Sequence, residues 1–377
     1  MKPVKMIIGG DLAPTKTNFS LFEEGNIDAL IDRPLIRILE SADIRIFNLE
    51  LPLTDTAQPI KKDGPNNKAP EAVIEGIKKL NPTVLSLANN HIMDHGDQGL
   101  FRTLDILSQN SIEWTGVGKD LSEASLPYVI NCENLRIGIY SCAEHEFSIA
   151  DKNKSGANPF DPLDSPDHIS HLKSSCDYVI VLYHGGKELY RYPSPNLQKV
   201  CRKMADKGAD LIVCQHSHCI GAYENYKNSV IVYGQGNFLF DRTDDEYWQT
   251  SLLIKVSLEK RMEIEYIPFR RSKPGITVAD TNEAEKIMAE LNRRSQEITV
   301  PGFIKSEYDR YCSINGMFYL GALAGFGRIV RKINTLSGGL LTRLIFPLKK
   351  MNMVQNFIEC EAHRELLINY LDQKRND

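Results

Sequence analysis

From residue 4 to about 270, short apolar runs rich in β-branched residues alternate with longer stretches whose apolar positions recur at helical spacing. That alternation marks an α/β architecture, in which strands of a buried sheet are joined by helices lying on its faces. The runs predict strands at 4–9, 44–47, 83–88, 135–140, 178–183, 211–214, 230–233, 251–256 and 262–267. Helices are expected at 72–80, 98–109 and 196–207, the last opening after Pro193-Ser194-Pro195 and stopping at Gly208, with a short turn at 121–124. The last four strands have no long helix between them, which predicts a second, more antiparallel sheet following a first, more parallel one.

The pattern changes at Lys273-Pro274-Gly275, a turn-forming cluster that predicts a boundary between a domain over 1–272 and a mostly helical extension over 273–377. The extension contains a charged amphipathic helix at 282–296, an apolar glycine-bearing stretch at 312–327, a stretch at 340–350 where basic residues stand beside Leu, Ile and Phe, and a helix at 356–373. The uncharged stretch 312–327 falls short of the ~20 residues a spanning helix needs. The apolar run before Asp11 is too brief for the core of a signal peptide and reads as the first strand.

Composition adds exclusions. Hydrophobic residues make up 42% and charged residues 25%, ordinary values for a folded globular protein. Lys+Arg 45 against Asp+Glu 49 leaves a net charge of −4, so the chain has no bulk positive field for nucleic acid. Eight cysteines, at 132, 142, 176, 201, 214, 219, 312 and 360, form no CxxC pair and suit thiols in a reducing compartment.

The candidate chemistry lies at the ends of the strands. The first ends in Asp11, the second in Asn48 and Glu50, the third in Asn89, Asn90 and His91, the fifth in His184, and the sixth in His216 and His218. In α/β sheets the C-terminal ends of strands are where ligands bind, so one edge should be a cleft lined with imidazole, carboxamide and carboxylate. Each residue alone also has a plain structural use, since Asp caps helices and turns and Asn-Asn makes turns. The pair His216-x-His218 is the strongest single sign of metal ligation, and His184 gains weight from Gly185 and Gly186, which allow close approach of a ligand. Such a donor set suits Mn, Fe or Zn better than Mg or Ca. Two ions about 3.5–4 Å apart would form a clamp for in-line attack at phosphorus. His95, His145, His168, His171 and His363 lack this strand context and are expected at the surface or behind the site.

The segments GGDLAP, NLELPLTD, LSLANNHIMDHGDQGLFRTLDIL, TGVGKDLSEA and the block from YHGGKELYRYPSPN to VYGQGNFLFD, in order over roughly 4–270, resemble the CapA/PgsA family of capsule and poly-γ-glutamate synthesis proteins. That family is similar in turn to the calcineurin-like metallophosphoesterases. The resemblance implies a four-layer α/β/β/α sandwich carrying two divalent metal ions. It implies Asp11 and His218 on one ion, Asn90, His184 and His216 on the other, Glu50 bridging, and His91 contacting the substrate phosphate or protonating the leaving oxygen. Substrate contact falls to Asn48 and to Lys187, Glu188 and Arg191 in the loop after His184. Three positions depart from the pattern. Ala13 stands where the phosphoesterases place an imidazole, Gly185 where an aromatic is frequent, and Cys214-Gln215-His216-Ser217-His218 replaces Gly-His-His-Pro-His.

The resemblance therefore implies a metal-dependent hydrolase of phosphoesterase type in capsule, exopolysaccharide or poly-γ-glutamate biosynthesis, acting on a phosphorylated or lipid-linked intermediate. The alternative is a non-catalytic assembly or scaffold component of a surface-polymer complex, with biosynthetic proteins as partners. Family members often carry an N-terminal membrane helix and this sequence shows none, so a cytoplasmic location is expected. A peripheral contact with the inner membrane surface through Arg328, Arg331, Lys332, Arg343, Lys349 and Lys350 competes with a plain helical cap.

Overall fold

The strand Val4–Leu12 is buried on both faces, and its alternation builds two cores at once. Met6 and Ile8 face one way, into a layer shared with Ile44, Ile46, Ile137, Ile180, Leu211, Val213 and Val256. Ile7 faces the other way, into a cluster with Phe47, Leu85, Leu35, Ile77 and Leu100. Successive side chains of a strand point to opposite faces, so a strand apolar at every position needs cover on both sides.

That cover comes from two sheets packed face to face in a computed structural model that describes residues 3–376. The seven-stranded sheet runs Gly275–Val278, Met262–Ser272, Thr250–Leu258, Val4–Leu12, Ile44–Leu49, Val84–Ser86, Glu113–Thr115. Its last four strands are parallel, and Thr250–Leu258 joins Val4–Leu12 antiparallel. The six-stranded sheet runs Tyr223–Tyr226, Ser229–Val232, Leu211–Gln215, Tyr178–His184, Leu135–Ala143, Tyr128–Cys132, its four central strands parallel. Helices Arg33–Glu40, Ile74–Lys79 and Gly96–Gln109 cover the first sheet. Helices Asp164–Lys173 and Pro195–Asp206 set Ile169, Leu172, Leu197 and Met204 against Tyr140, Val179, Val181 and Ile212 of the second. The layers are α/β/β/α, as expected. Full burial of each such Ile, Leu or Val contributes about 1.5–3 kcal/mol.

The sheets are not consecutive in sequence, and this corrects the expectation of a parallel sheet followed by an antiparallel one. Leu211–Gln215 and Ser229–Val232 extend the parallel second sheet, while Thr250–Leu258 and Met262–Ser272 return to the first. The return is driven by the open edge of Val4–Leu12, whose partner Thr250–Leu258 supplies Ile254 and Val256 to the intersheet core.

The chain forms two compact units, Met1–Ile304 and Lys305–Asp377. The Lys273-Pro274-Gly275 cluster, expected as a boundary, lies in the hairpin between Met262–Ser272 and Gly275–Val278. Helix Thr281–Glu297, with a capping box of Asp280 and Glu283, also belongs to the first unit. Helix Phe303–Leu323 starts in the first unit and runs on through most of the apolar stretch; in the second unit Arg328–Leu336, Leu340–Ile345 and Leu348–Glu359 follow, and the expected helix 356–373 is divided at Cys360 before Glu361–Asn376. Among the described residues no helix is long and apolar enough to cross a membrane.

Candidate metal centre

The parallel strands of both sheets end along one edge, and that edge gathers the predicted side chains. Asp11, Glu50, His184, His216 and His218 are each at most 6% exposed. Asp11 comes from a stretch whose backbone passes very close to Gly236: a Cβ on Gly10 would lie 1.9 Å from the Gly236 carbonyl oxygen. This approach lets Asp11 bridge to Asn237 and its carbonyl accept from Phe238 N–H at 2.9 Å. His216 and His218 both adopt left-handed backbone, at φ 81° and 55°. Non-glycine residues held there cost about 1 kcal/mol or more each, a cost found where a site dictates the backbone.

Two ligand sets share Glu50. His184 Nε2 is 3.1 Å from both Asn90 Oδ1 and His216 Nδ1 and 3.7 Å from Glu50 Oε1. Separations near 3 Å are those of neighbouring ligands around one ion with bonds of about 2.1 Å. On the other side His218 Nδ1 is 3.5 Å from Asp11 Oδ2, and His218 Nε2 is 4.0 Å from Glu50 Oε1. Glu50, His184 and His216 form one group able to hold an ion, and Asp11, Glu50 and His218 a second.

The electrostatics fit a cation. Among the described residues no hydrogen-bond donor reaches either buried carboxylate oxygen of Glu50. Burial first, then the neighbouring Asp11 charge, pushes the Glu50 carboxyl well above its usual range. Burial acts on Asp11 in the same sense, but the His218 hydrogen bond, the charges of His184 and His218 and the Asn48 amide outweigh it and hold that carboxyl low. Burial and the His216 charge push His184 well below the ordinary imidazole value.

Supporting contacts orient the donors. Asn48 Nδ2 donates to Asp11 Oδ1 at 2.8 Å and lies 3.2 Å from His184 Nδ1, while Asn89 Nδ2 donates to Asn48 Oδ1 at 3.1 Å. Asn48 is wholly buried, with its amide set between Asp11 and His184. His218 Nδ1 is 2.8 Å from Asn237 Oδ1, and its ring stacks on Trp248 with centroids 4.4 Å apart. His91 Nδ1 is 2.6 Å from Asp94 Oδ2, whose other oxygen pairs with the buried Lys62 ammonium; Asn67 N–H donates to Asp94 at 2.6 Å.

Glu188 lies 4.0 Å from His216 Nε2, joined there by Glu144 at 3.9 Å and Glu146 at 3.8 Å. Arg191 instead lays its guanidinium over the Tyr247 ring, 4.5 Å from the centroid, and Lys187 precedes both in the same loop. Of the remaining histidines, His145, His168, His171 and His363 are exposed, and His95 is buried behind the site, accepting from Gln58 N–H.

Sequence reasoning missed Glu144, Glu146, Asn237, Trp248, Asp94, Asn67 and Lys62. Glu144 directly follows Leu135–Ala143, so extending the predicted strand from 140 to 143 would have found it. Asp94, three residues after His91, was also within reach. Lys62 and Asn67 come from an irregular loop with no periodic signal.

Fold and site together define a four-layer α/β sandwich with a buried carboxylate and imidazole centre fit for divalent metal. The chain belongs to the bacterial capsule synthesis protein family PGA_cap, whose model matches residues 5–242. It is 33% identical over 234 residues to the PGA biosynthesis protein CapA of Bacillus subtilis, covering 59% of this chain and 60% of that protein. It is 31% identical over 180 residues to the capsule biosynthesis protein CapA of Bacillus anthracis, covering 46% and 44%. The chain thus spans less than two thirds of the length of these relatives. A phosphatase of Mycoplasma pneumoniae aligns with TM-score 0.43 and 16% identity, covering 71% of this chain and 94% of that one. A 5'-nucleotidase precursor of Thermus thermophilus aligns with TM-score 0.39 and 15% identity, covering 76% and 58%.

Proposed function

We propose that this chain is a metal-dependent hydrolase of phosphoesterase type in surface-polymer biosynthesis, acting on a phosphate ester or an activated phosphate-linked glycan or polymer intermediate. The observation that carries the reading is Glu50, a buried carboxylate that no hydrogen-bond donor reaches among the described residues, placed between two sets of donors. Asp11 and His218 would hold one divalent ion, Asn90, His184 and His216 the other, with Glu50 shared; nitrogen and oxygen donors of this kind favour Mn, Fe or Zn. Bound ions would supply charge stabilisation at a phosphoryl oxygen and a hydroxide nucleophile at neutral pH. Asn48 fixes Asp11 and His184. His91, with Asp94 2.6 Å from its Nδ1 and Asn67 Nδ2 3.3 Å from its Nε2, would contact the substrate phosphate or protonate the leaving oxygen. Lys187, Glu188 and Arg191 are the chain's groups for gripping the rest of the substrate. The cytoplasm is the compartment that eight free thiols favour.

A second reading, a non-catalytic component of an assembly complex, is favoured by Ala13. This residue is fully buried with its N–H bonded to Leu239 O at 2.9 Å, and it supplies no imidazole to the Asp11 side.

Metal content of protein purified without chelator, together with turnover of a generic aryl phosphate, separates the two. The hydrolase reading expects about two ions per chain, lost in His216→Ala/His218→Ala, and turnover abolished in His91→Ala with metal content unchanged. Full metal content without turnover of any phosphorylated or lipid-linked probe would support the scaffold.

A further inference from the structure

The second unit is inverted relative to an ordinary helical cap. Its short helices Arg328–Leu336 and Leu340–Ile345 are clipped together by a buried polar pair: Asn334 Nδ2 donates to Thr342 Oγ1 at 2.7 Å and Thr342 N–H donates to Asn334 Oδ1 at 3.1 Å. Large apolar side chains are left outside. Ile329, Ile333 and Leu336 recur at i, i+4 and i+7, with Leu336 81% exposed, and Leu340 and Leu344 continue on the next helix, with Leu344 71% exposed. A helical stripe of this kind needs an apolar partner.

The charge says what kind. Between 311 and 358 the sequence holds Arg328, Arg331, Lys332, Arg343, Lys349 and Lys350 and neither aspartate nor glutamate. Lys332, Arg343, Lys349 and Lys350 are exposed beside the apolar stripe. A second copy of the same face would set cation against cation. The helices, of 9, 6 and 12 residues, are broken at Gly338-Gly339 and Pro347 and are far too short to span a bilayer. Short amphipathic helices with isoleucine and leucine on one side and lysine and arginine on the other lie in the headgroup plane of a membrane.

We propose that residues 328–358 form an interfacial module that binds a bilayer surface containing anionic lipid. The proposal does not depend on the metal centre, which lies in the first unit. Each basic residue at an anionic surface contributes about fivefold in partition. Replacing Arg343, Lys349 and Lys350 by Gln should therefore weaken binding on the order of a hundredfold.

The test is flotation of the full chain with vesicles of phosphatidylcholine alone and of phosphatidylcholine mixed with phosphatidylglycerol. The expected result is strong flotation with the anionic vesicles, weak flotation with the neutral ones, and loss of binding in the triple Gln variant. Leu336→Ser/Leu344→Ser, which changes only exposed side chains, should also lose binding, with an unchanged circular dichroism spectrum showing that the fold is retained. Absence of flotation with either vesicle would overturn the proposal in favour of an acidic protein surface as the occupant. Flotation unchanged in both variants would equally overturn it, by placing the membrane contact elsewhere.

Discussion

Replacing Glu50 by Gln should have opposite effects on stability with and without metal. Both Glu50 oxygens are buried, no hydrogen-bond donor reaches them among the described residues, and the carboxyl is pushed up by burial and then by Asp11. An acid whose value rises on folding destabilises the fold at every pH above its unfolded value. In metal-free protein Glu50 therefore costs stability at neutral pH, and the cost shrinks as the pH falls toward the ordinary carboxylate range. Glu50→Gln keeps the shape and removes the charge. It leaves buried amide groups without partners, at about 1–3 kcal/mol, against several kcal/mol for an uncompensated buried carboxylate. The metal-free variant should thus be about 1–3 kcal/mol more stable than the parent, with each kcal/mol raising the melting midpoint by about 2–4 °C. With metal in excess the order reverses, because a ligand at a hundredfold excess over its Kd adds about 2.7 kcal/mol to the parent and little to a variant lacking the shared carboxylate. Thermal denaturation at neutral pH, in chelator and then in Mn(II), reads both arms. A variant less stable than the parent in chelator, or one that gains as much from metal, refutes the reasoning.

Other substitutions probe the supports of the site. Gly10→Ala forces a Cβ onto the Gly236 carbonyl and should destabilise by about 3 kcal/mol, read from the urea midpoint; an unchanged midpoint contradicts the close approach. His218→Gly and His218→Ala should lose metal alike, yet the glycine variant should be about 1 kcal/mol the more stable, because φ is 55° there; equal midpoints would argue against strain. Lys62→Met strips the buried ammonium from Asp94 and should cost about 3 kcal/mol, with a fall in any turnover that depends on His91; a variant of parental stability would show the pair to be inert.

The site was more legible than the topology. Asp11, Glu50, Asn90, His184, His216 and His218 could be found because parallel strands deliver their last residues to one edge, and each strand announced itself by an apolar run. Thr250–Leu258 could be predicted as a strand but not assigned to its sheet, since nothing local in its residues encodes a partner about 250 positions earlier. The hairpin at Lys273-Pro274-Gly275 carries the turn chemistry of a linker, and only the pairing of Ser272 with Gly275 distinguishes the two. Lys62 and Asn67 reach His91 from a loop whose conformation depends on what it covers.

The pairing of Val4–Leu12 with Thr250–Leu258 also has a history during synthesis. At about 5–20 residues per second, the partner strand emerges on the order of 12–50 s after the central one. For that interval a strand apolar on both faces keeps one edge open, and for most of it Asn237, the neighbour of Asp11 and the anchor of His218, does not yet exist. Nascent chains stopped before Thr250 should therefore depend on holding factors that cover exposed edges, and acquisition of metal should be a late, post-translational event.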